Sequence, residues 1–341
     1  MGTGLTLVTG ATGFLGRRVI TRLRELNQPF RAVMRPGARL TSELNEQLTG
    51  RDSRGELAEC SLNDQAGLDR VLDGVDVVLH LAASKSGSAP AQIANTVVTS
   101  EHLFQSAVRA RTPRVVLVSS FGVIGAGQVP TGGLLDESVP MEPHPEWRDP
   151  YSFAKHKQES LAWRYSRDHG LRLVVLRPGS IFGPGQNILT SRIGVNLFGL
   201  FLHLGRGATL PLTYVQNCAD AIVQAGTAPD AEGEVFCIVD DDLPTSRQLL
   251  RRYRREIARI PFVPVPSVAL QQLAVLNAWY SRRTGNHLPP VFTPYKVSNM
   301  WRGLRFSNEK AKRVLKWTPR VPMADALRIT FEAERHVGQA G

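Results

Sequence analysis

Cysteines are scarce in this sequence, and long apolar runs are absent from it. The 341 residues contain three cysteines, Cys60, Cys218 and Cys237, which are widely separated and form no CxxC pair. We therefore expect neither a disulfide framework nor a metal site, and the pattern fits a reducing cytoplasm. The most apolar later stretches, residues 195–204 and 268–280, are interrupted by Asn, Gln or Gly and are too short to span a bilayer.

Acidic residues are outnumbered by basic ones. The sequence has 41 Lys and Arg against 30 Asp and Glu, a formal net charge of +11. This excess favours anionic partners such as phosphorylated cofactors, acidic lipid surfaces or nucleic acid. Because no recognised nucleic-acid-binding motif accompanies the charge, we do not expect a nucleic-acid partner.

One segment of the second half concentrates the positive charge. Six arginines lie on or beside one predicted helix: Arg247, Arg251, Arg252, Arg254, Arg255 and Arg259. An apolar stretch with Leu270, Leu273, Leu276 and Trp279 follows it. Two interpretations stay open. In the first, the basic face and the apolar helix bind an anionic membrane surface. In the second, the arginines form a solvated face and the apolar stretch is a helix of the core.

The first half alternates short β-branched runs with amphipathic segments, which predicts an α/β fold with a doubly wound parallel sheet. The N-terminus passes directly into an apolar strand without a basic leader, so we do not expect an export signal. Strands are predicted at Leu5–Val8, Phe30–Met34, Val75–Leu81, Val115–Ser119 and Leu173–Leu176, and helices from near Gly13, Ser61, Asn95 and Tyr151. We predict a dinucleotide-binding domain at 1–178, to which 212–240 returns, and a smaller substrate-binding portion at 179–211 and 241–341.

Three glycines follow the first predicted strand. Gly10, Gly13 and Gly16 stand in the segment TGATGFLG at residues 9–16, which opens the first predicted helix. Glycines allow a tight turn and close approach of backbone to a pyrophosphate, and a helix N-terminus supplies unpaired N–H groups. The position after strand one favours a dinucleotide cradle over a glycine-rich turn that only packs a helix on a sheet.

The end of the second predicted strand bears on which nicotinamide cofactor is used. An acid there binds the ribose hydroxyls of NAD, whereas an arginine accommodates the 2′-phosphate of NADP. Residues 30–39 contain no acid, and Arg35 and Arg39 follow the strand. The sequence therefore predicts NADP(H), held at its phosphate by these two arginines. The alternative is NAD, with Arg35 as a solvated strand end.

Tyr151 and Lys155 are candidate catalytic residues. They are four residues apart on a predicted helix, so their side chains share one face. A free tyrosine has a pKa of about 10, and we expect a nearby ammonium, with the positive nicotinamide ring, to lower it. A phenol so tuned exchanges a proton with an alcohol or a ketone. Ser120, just past the fourth predicted strand, is placed to hold the substrate oxygen.

In this order the motifs resemble those of the extended short-chain dehydrogenase/reductase family. They are TGATGFLG at 9–16, HLAA at 80–83, SSFGVIG at 119–125, YSFAK at 151–155 and LRPGSIFGPG at 176–185. The resemblance implies a Rossmann-type fold and a homodimer. It also implies three sets of contacts with the cofactor. Thr12, Phe14 and Leu15 contact the pyrophosphate, and Ala82 and Ala83, with the adjacent Leu81, contact the adenosine. Pro178, Ile181 and Lys155 contact the nicotinamide side.

The chain departs from the family pattern at three places. An acid that commonly approaches the adenine, expected near Ser61 and Leu62, is replaced by Ser61, although Asp64 is near in sequence. Nucleotide-sugar epimerases and dehydratases usually carry Asn where this chain has Ser180. Dehydratases also carry an Asp-Glu pair where this chain has Phe121 and Gly122.

The tail resembles the 3β-hydroxysteroid dehydrogenase branch, which includes sterol-4-carboxylate decarboxylating members, with the dihydroflavonol-reductase-like branch close behind. The segments that carry this resemblance are PPVFTPY at 289–295, FSNEKA at 306–311 and LKWTP at 315–319. It implies hydride transfer between NADP(H) and a hydroxyl or ketone of a hydrophobic, sterol-like substrate. The alternatives are a nucleotide-sugar epimerase or reductase and a non-catalytic dinucleotide-binding sensor.

Overall fold

The structure is a computed structural model that describes residues 4–38, 40, 45–46, 54–197, 199–284 and 293–339. Arg39, one of the predicted phosphate-binding residues, lies outside these ranges, as does most of the tail segment 289–295. Among the described residues, no helix is both long enough and apolar enough to cross a membrane.

Within these ranges the chain alternates strands and helices. The strands are β1 (Leu5–Thr9), β2 (Phe30–Met34), β3 (Gly55–Glu59), β4 (Val75–His80), β5 (Arg114–Val118), β6 (Leu134–Leu135), β7 (Leu173–Pro178), β8 (Ser180–Phe182), β9 (Gly194–Leu197), β10 (Leu200–His203), β11 (Leu212–Tyr214), β12 (Val235–Ile238), β13 (Phe262–Pro264) and β14 (Arg305–Phe306). The α-helices are α1 (Phe14–Glu25), α2 (Gln65–Val71), α3 (Ala89–Ile93), α4 (Thr99–Arg109), α5 (Pro150–His169), α6 (Val215–Thr227), α7 (Ser246–Glu256), α8 (Ser267–Arg283), α9 (Pro294–Met300) and α10 (Met323–Gln339).

Seven parallel strands form the main sheet, in the order β3-β2-β1-β4-β5-β7-β12. All six residues of β7 are buried, as a strand covered on both faces requires. The chain runs outward from β1 to β3 and then returns to β4, so the strand order reverses between β1 and β4. Ligands of such sheets bind outside the carboxyl ends of the strands at this switch point. The predicted doubly wound, Rossmann-type fold is confirmed.

Helices cover both faces of the sheet. α1 and α6 pack together on one face, where Val19 and Ile20 share a core with Ile222. α2, α4 and α5 cover the other face, where Leu68 and Phe104 pack with residues of β4, β5 and β7. Because α6 precedes β12 and β12 pairs with β7, residues 215–238 belong to the main sheet and its helical layer.

A smaller portion lies beyond the carboxyl ends of the strands. Its core joins α7 to α10, with Leu249 and Tyr253 against Leu327 and Phe331. β9, β10 and β13 form a separate three-stranded sheet, and β8 pairs with β11. The short strand β14 pairs with β6, which ties residues 305–306 to the loop after Ser120.

The sequence missed one strand and misplaced the start of two helices. Strand β3 was not predicted, because four of its five residues are polar or small and its edge position leaves much of it exposed. The helix predicted from Ser61 begins at Gln65, because the Asp64 carboxylate caps it by accepting from the Gly67 N–H at 3.0 Å. The helix predicted near Asn95 begins at Ala89, after a Ser88 cap, and continues through a π turn into α4.

Candidate active site

The glycine turn lies between β1 and α1. Gly10 has a φ of +71°, and a Cβ there would meet the Ala82 nitrogen at 3.0 Å, so the turn requires glycine. Gly13 is exposed, and a Cβ there would lie 3.2 Å from the Gly10 oxygen, which is a tight contact. Among the described residues no side chain caps the N-terminus of α1, and its first turn contains no acid. These uncapped N–H groups and the exposed Gly13 fit a pyrophosphate.

The predicted pyrophosphate contacts surround this turn. Thr12 is exposed, whereas Phe14 and Leu15 are half-buried at the start of α1. Leu15 packs on the cores of both the sheet and the smaller portion. The turn therefore stands where the two portions of the fold meet.

Arg35 follows β2 directly and is exposed. No acid stands among residues 30–38, and the acid beside the end of this strand is Glu59, which pairs with Met34 from β3. Arg35 thus lies at the carboxyl edge of the sheet, one strand away from the glycine turn.

The segments after β3 and β4 carry the predicted adenosine contacts. Leu81, Ala82 and Ala83 are half-buried and continue β4, against Gly10. Ser61 and Leu62 are also half-buried, at the loop between β3 and α2. Asp64, which the sequence left as a nearby acid for the adenine, instead caps α2 and forms an ion pair with Arg70 at 3.8 Å.

Ser120 and Tyr151 meet at the carboxyl end of β5. Tyr151 lies in the first turn of α5, which begins at Pro150 and is capped by Asp149 accepting from the Ser152 N–H at 3.0 Å. Ser120 caps a short 3₁₀ turn by accepting from the Gly122 N–H at 3.1 Å. The Ser120 side chain also lies beside the Tyr151 phenol, near enough to lower its pKa. The structure thus joins two of the three predicted catalytic groups.

Lys155 is buried one turn further along α5. Its ammonium donates to the Val118 carbonyl at 2.7 Å and to the Gln158 amide oxygen at 2.8 Å. The Gln158 amide nitrogen donates to the Ser100 hydroxyl at 2.7 Å, and His80 contacts both Ser100 at 2.8 Å and Thr9 at 2.7 Å. Burial, with the charge of Lys155, lowers the pKa of His80 to about 3, so this histidine is neutral.

The sequence predicted that the pKa of Tyr151 is lowered, but the protein's own groups raise it. Burial of the phenol and the nearby Asp149 carboxylate raise the pKa of Tyr151 to about 12, although the neighbouring Ser120 hydroxyl opposes them. Lys155 donates elsewhere, and burial together with the charge of Lys85 lowers the pKa of its own ammonium to about 7. The phenol is therefore protonated at neutral pH, and Lys155 carries only part of a charge.

Lys85 is a second cation beside Tyr151, and the sequence reasoning missed it. Its ammonium lies 5.7 Å from the centroid of the Tyr151 ring. Although much of the side chain is exposed, desolvation lowers the pKa of the ammonium. A lysine five residues after a strand carries no sequence signal of this role, because only the fold brings it to the tyrosine.

A buried ion pair connects α5 to the sheet. The Arg177 guanidinium on β7 donates to the Glu159 carboxylate at 2.5 and 3.1 Å, and the Ser119 hydroxyl donates to the same carboxylate at 2.5 Å. Glu159 lies one turn after Lys155, and Ser119 precedes Ser120. The pair therefore holds the helix that carries Tyr151 and Lys155 against the strand ends.

Pro178 and Ile181, the predicted nicotinamide contacts, lie where β7 leads into β8. Pro178 is buried and ends β7, the neighbour of β5 in the sheet. Ile181 is half-buried and packs on the cores of both portions. Both residues are therefore at the carboxyl edge that carries Ser120.

A model of the NAD dependent epimerase/dehydratase family matches residues 6–238. The chain belongs to this family. The matched range includes the glycine turn, Ser120, Tyr151 and Lys155.

Curated relatives of this epimerase/dehydratase-family chain extend over nearly its whole length. A 3beta-hydroxysteroid-dehydrogenase/decarboxylase of Arabidopsis thaliana, isoform 2, is 26% identical to this chain. The match covers 97% of this chain but only 62% of the length of that relative. A decarboxylating sterol-4-alpha-carboxylate 3-dehydrogenase of Candida albicans is 26% identical over 96% of each chain. The predicted family is thus confirmed, and both relatives agree with the predicted branch.

The fold of this epimerase/dehydratase-family chain also recurs in solved structures. A short-chain dehydrogenase/reductase superfamily protein of Agrobacterium tumefaciens superposes with a TM-score of 0.71. The two are 20% identical, and the match covers 98% of each chain. This likeness supports the fold.

We expect Gly16→Ala to lower the free energy of unfolding by about 1–3 kcal/mol. A Cβ at this position would lie 2.1 Å from the Gly10 oxygen and 2.7 Å from the Ala11 Cα, so α1 must move away from the turn. Urea denaturation followed by circular dichroism measures the change. Gly207→Ala is the control, because no atom lies within 4 Å of its Cβ position, and an equal loss in both variants would contradict the expectation.

Proposed function

We propose that this chain is an oxidoreductase that transfers a hydride between NADP(H) and a hydroxyl or ketone of a hydrophobic, sterol-like substrate. The observation that carries the proposal is the placement of Tyr151 beside Ser120 at the carboxyl end of β5, one helical turn before the buried Lys155. The bound nicotinamide supplies or accepts the hydride. The chain's own residues handle the proton.

Tyr151 is the proton donor in reduction and the acceptor in oxidation. Because its pKa is raised to about 12 by burial and by Asp149, the phenol is protonated at neutral pH and is ready to donate to a ketone oxygen. Ser120 holds that oxygen by a hydrogen bond. Lys155 would hold the nicotinamide ribose, and a cationic nicotinamide beside the phenol would favour its ionised form for oxidation.

Several features support a hydrophobic substrate. Phe121, which follows Ser120, is buried and packs against Phe306 with ring centroids 5.9 Å apart. A cavity of about 630 Å³ lies in the smaller portion, where Val265, Val297 and Trp301 line it together with Arg206 and Arg302. Pockets for small molecules are commonly of this size. The names of the two curated relatives point to sterols as well.

The site does not favour a dehydratase or a nucleotide-sugar enzyme. A Cβ on Gly122 would lie 2.6 Å from the Ser152 hydroxyl, so an acid there requires the Ser152 side chain to move. Phe121 fills the other position of the dehydratase acid pair, and Ser180 stands in place of the asparagine of those enzymes.

The substrate class is tested by following absorbance of the reduced cofactor, and by chromatography of the products for UDP-sugars, because epimerisation returns the hydride and leaves the cofactor unchanged. The panel contains 3-keto and 3-hydroxy sterols, with and without a 4-carboxylate, and UDP-sugars as the comparison set. We expect turnover with sterols and none with UDP-sugars. Turnover of UDP-sugars alone would replace the proposal with an epimerase or reductase. Cofactor binding without turnover of any alcohol or ketone would favour a sensor.

We expect Arg35→Ala to weaken NADPH binding by about tenfold or more, since a charge-assisted hydrogen bond contributes about 1.5–3 kcal/mol. NADH affinity should change little, because NADH has no 2′-phosphate. Fluorescence titration of both cofactors measures the two constants. Arg54→Ala is the matched control, since this arginine is also exposed but precedes β3 at the opposite end of the strands. Equal losses for NADPH and NADH would contradict the preference for NADP.

A further inference from the structure

α8 presents its bulky apolar residues outward. Its inner stripe, which packs on Leu204 and Val297, consists of Leu270 and Ala274, followed by the buried Ser281. Its outer face carries six large exposed side chains, Val268, Leu273, Val275, Leu276, Trp279 and Tyr280, with Val268 at 64% and Leu276 at 60% exposure. A helix that completes a core buries its large apolar residues instead. Of the four apolar residues that the sequence analysis named in this stretch, only Leu270 is buried.

This exposed face is continuous along the helix. At 1.5 Å per residue, 17 residues extend over about 26 Å. Clusters of large apolar side chains on this scale mark interaction surfaces, since scattered single residues are the norm elsewhere. We call these six residues the outer face of α8.

An arginine cluster adjoins the N-terminal end of α8. Arg206, Arg247 and Arg251 line one shallow pocket with Pro264, and Arg206 and Pro264 also line the cavity against Ser267 and Leu270. Arg206, with Arg251, lowers the pKa of Arg247, because the guanidinium charges lie together. Glu256, the acid at the end of α7, is already paired with Arg252 and Arg255. Arg259 lies beyond α7 and outside this cluster.

Acids are missing from the sequence around the outer face. Residues 257–308 contain no Asp or Glu, whereas Arg283, Lys296 and Arg302 are among their cations. A second copy of this chain would therefore offer no carboxylates to the cluster, and a twofold contact would bring like charges together. The apolar face and the adjacent arginines are therefore complementary to a surface with an apolar interior and anionic groups at its boundary.

We propose that the outer face of α8 and the arginine cluster dock on the surface of an anionic lipid bilayer. Leucine and valine side chains enter the acyl boundary, Trp279 and Tyr280 lie at the headgroup level, and the arginines bind lipid phosphates and carboxylates. This property goes beyond the proposed hydride transfer and does not depend on it.

The docked orientation gives a lipophilic molecule a way into the fold. The cavity of about 630 Å³ lies against the inner side of α8, where Leu270 lines it. Arg302 lines this cavity and also a smaller one lined by Phe121, the residue after Ser120. A lipophilic molecule that leaves the bilayer at α8 would therefore meet this cavity first.

The experiment is vesicle flotation of the full chain. Phosphatidylcholine vesicles with and without phosphatidylserine are compared at low and high salt. We expect binding only with phosphatidylserine at low salt, and a loss of about fivefold for each arginine removed, as in Arg247→Gln and Arg251→Gln. Arg313→Gln is the matched control, because this exposed arginine lies in the π turn Ala311–Leu315, on the core of the main sheet.

The apolar half of the surface is tested by Leu276→Glu with Trp279→Glu, and by Leu57→Glu on β3 as an exposed control. We expect the double variant to abolish flotation and the control to retain it. The tryptophan emission should shift to shorter wavelength on binding in the parent chain and not in Trp279→Phe.

Three results would overturn the proposal. They are no flotation with either vesicle at low salt, undiminished flotation of the double variant, and a dimer that the double variant converts to a monomer in sedimentation. The arginine variants keep the test decisive if the double variant fails to fold.

Discussion

Tyr151→Phe should reduce turnover by about 10²–10⁴-fold while NADPH binding persists. The substitution removes only the phenolic hydroxyl, which lies beside Ser120 and whose pKa is raised to about 12 by burial and by Asp149. The ring remains to pack beside Lys85. Steady-state kinetics with a sterol substrate, and cofactor titration by fluorescence, separate the proton-transfer step from binding.

The matched control for this prediction is Tyr165→Phe. Tyr165 lies on the same helix, but its ring packs in the core against Phe104, with centroids 5.9 Å apart. We expect its turnover to stay near that of the parent. If Tyr151→Phe kept full turnover of an identified substrate, the acid/base role would be lost, and with it the proposed function.

Arg177→Met should lower the free energy of unfolding by about 3–5 kcal/mol, because it leaves a buried carboxylate without its partner. Arg177 and Glu159 are 6% and 0% exposed, so the carboxylate that remains would be buried without its cation. The same change should loosen α5 at the strand ends and thus displace Tyr151 and Lys155. Urea denaturation gives the stability, and the ratio of kcat to KM in the remaining folded protein gives the effect on the site.

Arg172→Met is the control for the buried pair. Arg172 stands just before β7 and donates from its Nε to Glu232 at 2.7 Å, but the two side chains are 52% and 38% exposed. Exposed ion pairs contribute about 0–1 kcal/mol, so this variant should be nearly as stable as the parent. Equal losses in the two variants would mean that burial of the pair is not what stabilises it.

Sequence patterns located most of the main sheet but not all of it. β1, β2, β4, β5 and β7 were predicted because both of their faces are buried and their apolar runs are nearly continuous. β3 was missed because it is an edge strand with little burial. The signal that finds a strand in a sequence is burial, and an edge strand has little of it.

Three expectations from the sequence stay predictions. The homodimer rests on the family resemblance, and the preference for NADP rests on Arg35 and on the absence of an acid after β2. The division into two portions likewise stays a prediction, although residues 215–238 join the main sheet.

The sequence by itself determined which residue types carry the chemistry and in which order they follow the strands. Local spacing is enough for this, because glycine turns and helix faces depend on residues close in the chain. Only the tertiary structure decided which charges meet. It brought Lys85 over Tyr151, turned Lys155 toward Val118, and left the apolar side of α8 outward. Such contacts join residues far apart in sequence, and the pKa of each group depends on burial and neighbours that no local pattern encodes.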